Sequence, residues 1–355
     1  MSRVALISIG TATPEHDLAQ PRATDVAISF SAAPEDHRVI RALYRRSGVQ
    51  SRGSVLADGS GMIDLYRPDS DPPTTARRMR LYEHHACDLA ERACRQAIDR
   101  ASTPPGSITH LITVSCTGFS APGVDLELIH RIGLPPTTRR THIGFMGCHA
   151  AINALATAKA YAASDPSARV LVCCVELCSL HFDHTPDAQG HVANALFADG
   201  AGAAIVGMSE SEPVEIRSTG AVVIPDTADM MSWHIGDHGF RMRLSPAVPA
   251  TLAKHIPPWL DRWLGESGYA RLDIGSWAIH PGGPRVLSAL SDALALDPDA
   301  LAISRSVLSD HGNMSSATLL FILQRLLNDQ VPMPLLAAAF GPGLAGEALL
   351  LHAGT

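Results

Sequence analysis

The sequence lacks Cys-x-x-Cys pairs, long apolar runs, an excess of basic residues and a high share of aromatic residues. Its seven cysteines are scattered, so zinc-ribbon and thioredoxin-type sites lack the closely spaced pairs that they need. In a chain of 355 residues a disulfide scaffold is not expected, and the cysteines are expected to be reduced thiols. Aromatic residues make up 5% and charged residues 18% of the chain, which fits a compact α/β enzyme better than a disordered chain.

The net charge and the lengths of the apolar runs limit the expected cellular location of the protein and the partners that it can bind. The formal net charge is −7, so no basic field attracts nucleic acid or anionic lipid to the protein as a whole. No run approaches the ~20 apolar residues that a membrane-spanning helix needs, and Val4–Ile9 is too short for a secretory signal. We therefore expect a soluble, cytoplasmic protein with no nucleic-acid partner and no membrane span.

Short apolar runs alternate with longer amphipathic ones along the chain. This alternation predicts βα units and a largely parallel sheet that is buried on both faces. Strands are predicted over Val4–Ile9, His110–Ser115, Arg169–Val175, Ala203–Met208, Ser276–Ile279, Leu335–Phe340 and Ala348–His352. Helices are predicted over His84–Arg100, Ala150–Ala162, Pro284–Ala295 and Ser315–Asn328. The Gly-, Asp- and Pro-rich stretch Gly53–Thr75 is predicted to be a long surface loop.

The chain has the length of two domains of about 150 residues each. The polar stretch Ser209–Thr219 is a candidate boundary, which gives halves 1–210 and 211–355. Each half contains what we interpret as a strand, a Gly-containing turn, a polar residue and an apolar helix. The two instances are Gly144–Cys148 before Ala150–Ala162 and Asp310–Asn313 before Ser315–Asn328. They indicate a structural duplication.

Cys148 is the candidate nucleophile. It lies at the predicted start of an Ala-rich helix, where the positive end of the helix dipole and free backbone N–H groups favour a thiolate. Such surroundings lower a thiol pKa of about 8.5 by about one unit or more. The alternative for this residue is a small buried hydrophobe, which is the role of most cysteines.

His280 and Asn313 complete a candidate set of three. His280 ends a predicted strand and opens a Pro-Gly-Gly-Pro turn, which is where α/β folds place active-site residues; its alternative is a structural histidine. Asn313 follows Gly312 and is either a helix cap or a donor to a developing oxyanion. Papain-like proteases also use Cys, His and Asn, but their signature around the cysteine is missing.

Three long motifs carry a resemblance to a known family. They are Ile279–Pro284 (IHPGGP), Gly312–Ala317 (GNMSSA) and Phe340–Leu344 (FGPGL), supported by Ala195–Ala201 (ALFADGA) and the Gly147–Cys148 turn. Together they resemble the type III polyketide synthases, the chalcone and stilbene synthase superfamily, over essentially the whole chain. The departures from the plant pattern, such as His149 after the cysteine, are typical of bacterial members.

The resemblance implies a fold, an assembly and a reaction. It implies the thiolase fold, an α/β fold in which two duplicated halves form five αβαβα layers, and a homodimer. Cys148 would take an acyl group from coenzyme A and pair as thiolate with His280. His280 and Asn313 would then hold the malonyl thioester oxygen during decarboxylation. No metal or redox cofactor is implied, since acyl-CoA and malonyl-CoA are substrates.

The resemblance also implies residues that line the substrate path. Phe197 matches an aromatic gate between the coenzyme A tunnel and the cavity, and Met242 replaces the second gate phenylalanine; its alternative is a core methionine. Further implied cavity or substrate-binding positions are Cys116, Ala121, Cys178, His181, Trp233, Gly341, Pro342 and Gly343. Arg45 and Arg46 overlap the basic tunnel mouth and are candidate phosphate partners, or else a solvated helix face.

Several products and two rival functions remain open. The small and aliphatic substitutions favour a fatty acyl starter and an alkylpyrone or alkylresorcinol. Cys116 favours the runner-up, tetrahydroxynaphthalene made from malonyl-CoA alone. A 3-oxoacyl-[acyl-carrier-protein] synthase uses the same three residue types but has a different histidine turn. A non-catalytic acyl-CoA-binding descendant is the other rival, although all three positions are kept here.

Overall fold

The structure is a computed structural model that describes residues 3–31, 34–58, 61–62, 65–66, 70–184, 187–209 and 214–354. Its helices are α1 Gln20–Ser29, α2 Pro34–Arg46, α3 Thr75–Arg100, α4 Val124–Ile132, α5 Ala150–Ser164, α6 Ala188–Leu196, α7 Val248–Glu266, α8 Pro284–Ala293, α9 Ala302–His311 and α10 Thr318–Asn328. Its strands are β1 Arg3–Ala12, β2 Asp17–Ala19, β3 Ser51–Gly53, β4 Ala57–Asp58, β5 Gly61–Met62, β6 His110–Ser115, β7 Arg139–Gly144, β8 Arg169–Leu177, β9 Asp199–Ser209, β10 Val214–Val223, β11 Met231–Gly236, β12 Gly239–Leu244, β13 Ser276–Ile279, β14 Leu335–Gly341 and β15 Ala345–Ala353.

The structure bears on two local predictions and corrects the first. The stretch Gly53–Thr75 is not one loop, because β4 and β5 pair within it; residues 59–60, 63–64 and 67–69 lie outside the described residues. The candidate boundary Ser209–Thr219 contains the end of β9 and the start of β10, and residues 210–213 lie outside the described part.

The main sheet is mixed, so the prediction of a largely parallel sheet is wrong. Its nine strands are ordered β13-β14-β15-β10-β1-β9-β8-β6-β7. Only the pairs at the two ends of the sheet are parallel: β13 with β14, β6 with β7 and β6 with β8. The strands between them pair antiparallel. An apolar run shows that a strand is buried, but it carries no information on the direction of its neighbours.

The layers follow from which side chains each strand turns to each face. In β8, Val170, Val172 and Cys174 pack against α5 and α10, whereas alternate residues pack against α3 and α4. In β14, Ala337 faces the same α5–α10 layer, whereas Ala338 faces α7 and α8. This alternation is the period-two geometry of a strand buried on both faces. The two parts of the sheet therefore lie on opposite sides of the α5–α10 layer, with α3 and α4 outside one part and α7 and α8 outside the other. This is a five-layered αβαβα arrangement, which confirms the predicted fold.

The two central helices begin at related turns, one from each half of the chain. α5 follows a short 3₁₀ turn at Gly147–His149, and α10 follows one at Ser315–Ala317. In the second half the preceding element is helix α9 rather than a strand, which corrects that part of the predicted duplication. The two 3₁₀ turns contact one another, so the helix starts from both halves meet at one place.

Candidate active site

The cysteine turn is held by close backbone packing. Gly147 has φ +81° and donates its N–H to the Cys116 sulfur at 3.0 Å. A Cβ at Gly147 would lie 2.4 Å from Pro342 Cδ, so only glycine fits between the turn and the end of β14. This packing fixes the direction in which the next residue, Cys148, points.

Cys148 is 8% exposed and sits beside Ser315 and Asn313. Its Sγ lies 3.7 Å from Ser315 Oγ, and the Asn313 amide is close enough to lower the pKa of the thiol. Burial nevertheless raises the pKa of the Cys148 thiol to about 12, while the bonds to Ser315 and Asn313 lower it. With these partners alone, the sulfur is a neutral thiol at neutral pH.

Of the two roles considered for Asn313, the structure shows the capping one, and donation to an oxyanion stays a prediction. Its Oδ1 accepts the N–H of Ser315 at 2.8 Å, which caps the 3₁₀ turn before α10. Because the carbonyl end of the amide is used in this way, its N–H₂ end is the donor available to the sulfur. The backbone of Asn313 is bonded on both sides to 196–198, with Asn313 N to Leu196 O at 2.8 Å and Ala198 N to Asn313 O at 2.9 Å.

His280 lies at the end of β13, next to β14. Its backbone N–H donates to Ala338 O at 2.8 Å, and its ring is 1% exposed with no hydrogen-bond partner on either nitrogen among the described residues. Burial, and secondarily repulsion from His149, lowers the pKa of His280 to about 3. His149 adjoins Cys148, and its ring packs on Gly341 at the end of β14. Thus β14 links the His280 strand to the cysteine turn.

A mostly apolar cavity of about 100 Å³ opens onto Cys148 and Ser315. Seven of the residues implied by the resemblance line it: Cys116, Cys178, His181, Phe197, Trp233, Met242 and Pro342. Leu18, Ala23, Val26 and Tyr44 also line it. It therefore reaches from the cysteine turn to α1 and α2.

Other predicted positions lie elsewhere. Gly341 packs on His149 and Met146, and Gly343 O accepts from Thr227 Oγ1 at 3.0 Å. Ala121 lines a separate cavity beside β6 and β7. Arg45 and Arg46 are exposed at the end of α2. None of these five positions is in the lining of the Cys148 cavity. A sequence motif identifies a turn, but it does not give the direction in which each residue of that turn faces.

His181 is in the cavity wall but both ring nitrogens are occupied. Nε2 bonds to Thr117 O at 2.6 Å, and Nδ1 accepts the N–H of Phe240 at 3.1 Å. The ring also stacks on Phe240, with centroids 4.1 Å apart. Burial lowers the pKa of His181 to about 3. These contacts define a neutral ring with a fixed tautomer, which shapes the cavity and is not free to exchange protons.

Sequence reasoning missed the buried carboxylate of Glu176, on β8. Its Oε1 accepts from Ser316 Oγ at 2.5 Å, and its Oε2 accepts from Thr117 Oγ1 at 2.8 Å and from Cys116 N at 3.0 Å. Burial raises the pKa of this carboxyl, while the bond from Ser316 lowers it. The available signal was one acidic residue within the otherwise apolar strand Arg169–Leu177.

Two further searches bear on metal and membrane functions. Within the part of the chain that the structure describes, no three His, Cys, Asp or Glu side chains are arranged to hold a metal ion. Among the same described residues, no helix combines the length and the apolar character needed to cross a membrane.

Comparison with known proteins agrees with the geometry. Residues 2–210 match the N-terminal domain of the chalcone and stilbene synthases, and residues 215–355 match their C-terminal domain. The alpha-pyrone synthesis polyketide synthase-like Pks18 of Mycobacterium tuberculosis is 32% identical, with 98% of this chain and 91% of that protein covered. The 1,3,6,8-tetrahydroxynaphthalene synthase of Streptomyces griseus is 30% identical over 95% of this chain and 89% of that protein.

A solved structure gives the same result for the fold. The crystal structure of PKS-I from the brown alga Ectocarpus siliculosus superposes with a TM-score of 0.95 at 28% identity, covering 100% of this chain and 99% of that one. The layers seen here are therefore those of the thiolase fold. The chain belongs to the chalcone and stilbene synthase family and is a type III polyketide synthase, an enzyme of decarboxylative condensation.

Proposed function

We propose that Cys148 loads an acyl group from an acyl-CoA starter and that malonyl-CoA then extends it. In loading, the cysteine sulfur attacks the thioester carbonyl, the new carbon–sulfur bond forms and coenzyme A leaves as its thiol. The single observation that carries this proposal is the meeting of the two halves, where Cys148 Sγ from the first half lies 3.7 Å from Ser315 Oγ of the second, and Ser315 N–H in turn donates to Asn313 Oδ1.

We infer from the pKa directions at Cys148 and His280 how the nucleophile is activated. Burial raises the pKa of Cys148 and lowers the pKa of His280. It therefore disfavours an isolated Cys148 thiolate and also an isolated His280 imidazolium. A proton that moves from sulfur to imidazole creates both charges together, and their attraction in a buried site offsets the desolvation of each. Neither ring nitrogen of His280 is bonded to a described residue, so the nitrogen that carries no hydrogen in the neutral ring can accept that proton.

Decarboxylation uses the same histidine and amide. Malonyl-CoA loses carbon dioxide, and the electron pair of the broken carbon–carbon bond becomes an enolate on the thioester. The N–H₂ group of Asn313 and a ring N–H of His280 donate to the enolate oxygen. The enolate carbon then attacks the acyl group on Cys148 and frees the sulfur. Fixed donors in a water-poor cavity stabilise such an oxyanion strongly, and no metal or cofactor takes part in this proposal.

We propose a fatty acyl starter and an alkylpyrone or alkylresorcinol product. The cavity lining includes the aliphatic side chains of Leu18, Ala23 and Val26, which an alkyl chain contacts favourably. Burial of a CH₂ group in such a wall contributes about 0.8 kcal/mol, so each added carbon that fits favours binding. The similarity to an alpha-pyrone synthesis enzyme is in line with this substrate class.

The second candidate is a tetrahydroxynaphthalene synthase that uses malonyl-CoA alone. Cys116 lines the cavity next to the cysteine turn, and a synthase of this product is 30% identical to the chain. A malonyl-only synthase has no use for aliphatic wall residues such as Leu18, Ala23 and Val26. The wall formed by α1 therefore favours the fatty acyl starter.

Product profiling with a set of acyl-CoAs tests the starter. Purified protein receives malonyl-CoA with each saturated acyl-CoA from acetyl to palmitoyl, and one reaction contains malonyl-CoA alone. The Val26→Phe variant should lose its longest starters because the larger ring fills the α1 end of the cavity. Ile28→Phe is the matched control, since Ile28 is also half-buried on α1 but does not line the cavity.

The outcomes separate the candidates. Alkylpyrones or alkylresorcinols that shorten only in Val26→Phe support the proposal. Tetrahydroxynaphthalene from malonyl-CoA alone, with no use of fatty acyl starters, supports the second candidate. A strict need for an acyl-carrier protein would indicate a 3-oxoacyl-[acyl-carrier-protein] synthase. Absence of any acyl adduct or product would indicate a non-catalytic acyl-CoA-binding protein.

Coenzyme A phosphates are proposed to bind at the end of α2. Arg45 and Arg46 are exposed there, and Gly48 packs on Pro284 at the start of α8. That contact brings Arg285, an exposed residue not singled out from the sequence, to the same face. Arginine donors match phosphate oxygens in geometry. Alanine at Arg45 and Arg46 should raise KM for malonyl-CoA, whereas alanine at Arg38, exposed earlier on α2, should not.

The proposed assembly is a cytoplasmic homodimer. β7 is the last strand of the main sheet and is largely exposed, and an edge strand of this kind readily pairs with another chain. Phe119 and Phe145 beside it are 50% and 39% exposed, with ring centroids 6.1 Å apart. The seven free cysteines suit a reducing compartment. Light scattering should give twice the chain mass, and Phe119→Asp should weaken the dimer.

A further inference from the structure

Arg52, on β3, is a buried cation. Its side chain is 5% exposed. Nη1 donates to Asn194 O and Phe197 O, both at 2.8 Å, and Nη2 donates to Ala195 O at 2.6 Å. One guanidinium therefore satisfies three backbone carbonyls at the end of α6, where a helix leaves its carbonyls without partners.

The segment that Arg52 holds is the one that positions Asn313. Leu196 and Ala198 bond to the backbone of Asn313 from both sides, and Phe197 forms an isolated parallel bridge with it. Gly312, at φ +72°, is packed tightly here: a Cβ would lie 2.8 Å from Ala198 Cβ and 3.4 Å from Arg52 Cβ. No flexible side chain intervenes between the guanidinium-bound carbonyls and the amide beside Cys148.

A second buried residue extends the connection toward α2. Gln20 Oε1 accepts from Arg52 Nη2, and Gln20 Nε2 donates to Ser47 Oγ at 2.8 Å and to Ala195 O at 3.1 Å. Ser47 directly follows the exposed end of α2. Arg52 and Gln20 thus join the end of α2, the end of α6 and the Asn313 turn in one hydrogen-bonded unit.

We propose that Arg52 is a positioning residue for decarboxylation, which holds 194–198 so that the Asn313 amide and the Phe197 ring keep their places in the active site. The proposal rests on the role of Asn313 proposed above. Arg52 acts on the step that needs the amide, the stabilisation of the enolate. It acts much less on acyl loading, for which the cysteine turn is held separately by Cys116 and Pro342.

The test measures two activities in the same variants. Acyl loading onto Cys148 is followed by intact mass, and malonyl-CoA decarboxylation is followed by release of carbon dioxide. Arg52→Lys keeps the charge but makes fewer bonds, and Arg52→Gln removes the charge. Arg100→Lys is the matched control, because Arg100 bonds one backbone carbonyl, Ile9 O at 3.0 Å, away from the site. Thermal unfolding is recorded for each.

The expected result is a split between the two activities. Decarboxylation should fall about 10-fold or more in Arg52→Lys and further in Arg52→Gln, while loading stays within about 3-fold, since a small displacement of a catalytic group is costly. Arg100→Lys should change neither. Equal losses in both activities that follow the melting temperature would mean a purely structural arginine, and unchanged decarboxylation in Arg52→Gln would overturn the proposal.

Two further variants keep the outcome interpretable. If the Arg52 variants do not fold, Gln20→Met removes the neighbouring part of the unit and should give a smaller split of the same sign; no split would overturn the proposal. Asn313→Ala is measured alongside. Normal decarboxylation in Asn313→Ala would reject the proposed function of that amide, whereas a loss there without a loss at Arg52 would reject only the role of Arg52.

Discussion

Replacement of His280 by Gln should convert Cys148 from a reactive thiolate into an ordinary buried thiol. The substitution removes the group that accepts the sulfur proton and keeps a side chain of similar size. Without a cation beside it, the thiol has a pKa raised to about 12 by burial. At pH 7.5 the ionised fraction is then about 10⁻⁴ to 10⁻⁵, whereas a thiolate paired with imidazolium is almost fully ionised.

The expected fall in the alkylation rate is smaller than the fall in the ionised fraction of the thiol. A thiolate of higher pKa is intrinsically more nucleophilic, with a Brønsted coefficient of about 0.4–0.5, which recovers roughly two to three of the lost powers of ten. We therefore expect iodoacetamide to alkylate Cys148 about 100-fold more slowly in His280→Gln at pH 7.5. The rate should also rise about tenfold per pH unit between pH 7 and 9, whereas in the wild type it should level off near neutrality.

Intact mass after timed alkylation gives these rates. The Cys148→Ala variant supplies the background from the remaining cysteines, and circular dichroism checks that His280→Gln is folded. A variant that is alkylated as fast as the wild type, with the same pH profile, would refute the reasoning. In that case the Cys148 thiolate would be stabilised by the helix terminus and Asn313 without the imidazole.

Three other substitutions test separate parts of the account. Asn313→Ala should slow malonyl-CoA decarboxylation by about 10² to 10³-fold, the usual loss for one oxyanion donor, and a normal rate of carbon dioxide release would contradict its role. Met242→Phe should shift preference toward shorter or slimmer acyl-CoAs, and an unchanged product profile would remove the gate argument. The pKa of His181 is lowered to about 3, so its neutral ring stabilises the fold above pH 6.5 and this contribution is lost as pH falls toward 3. Between pH 7 and 5, His181→Gln should therefore lose about 2 kcal/mol less stability than the wild type in urea unfolding. Equal losses in the two proteins would contradict the assignment.

The strands buried on both faces could be predicted from the sequence, and the exposed ones could not. β6 and β13 have the predicted bounds because each is a short, largely buried segment between turn residues. β7 was missed because its residues, such as Arg139 and Arg140, are largely exposed at the edge of the sheet. The β11–β12 hairpin was missed as well, and its pairing is local and only half-buried.

The candidate site shows the same limit. Cys148, His280 and Asn313 stay predictions as catalytic residues; the sequence singles them out because each lies on a Gly-containing turn at the end of an element, and turns leave a signal in sequence. Glu176 and Arg52 could not be singled out in this way, because their roles come from contacts with residues far along the chain. Nothing local distinguishes an arginine that bonds the end of a distant helix from one that faces solvent.

The central claim is that the Cys148 sulfur carries the growing chain. Incubation with an acyl-CoA in the absence of malonyl-CoA, followed by intact mass and peptide mapping, tests it most directly. The account predicts a mass increase of one acyl group that maps to the peptide containing Cys148 and that is absent in Cys148→Ala. An adduct on another residue, or one that persists in Cys148→Ala, would contradict it.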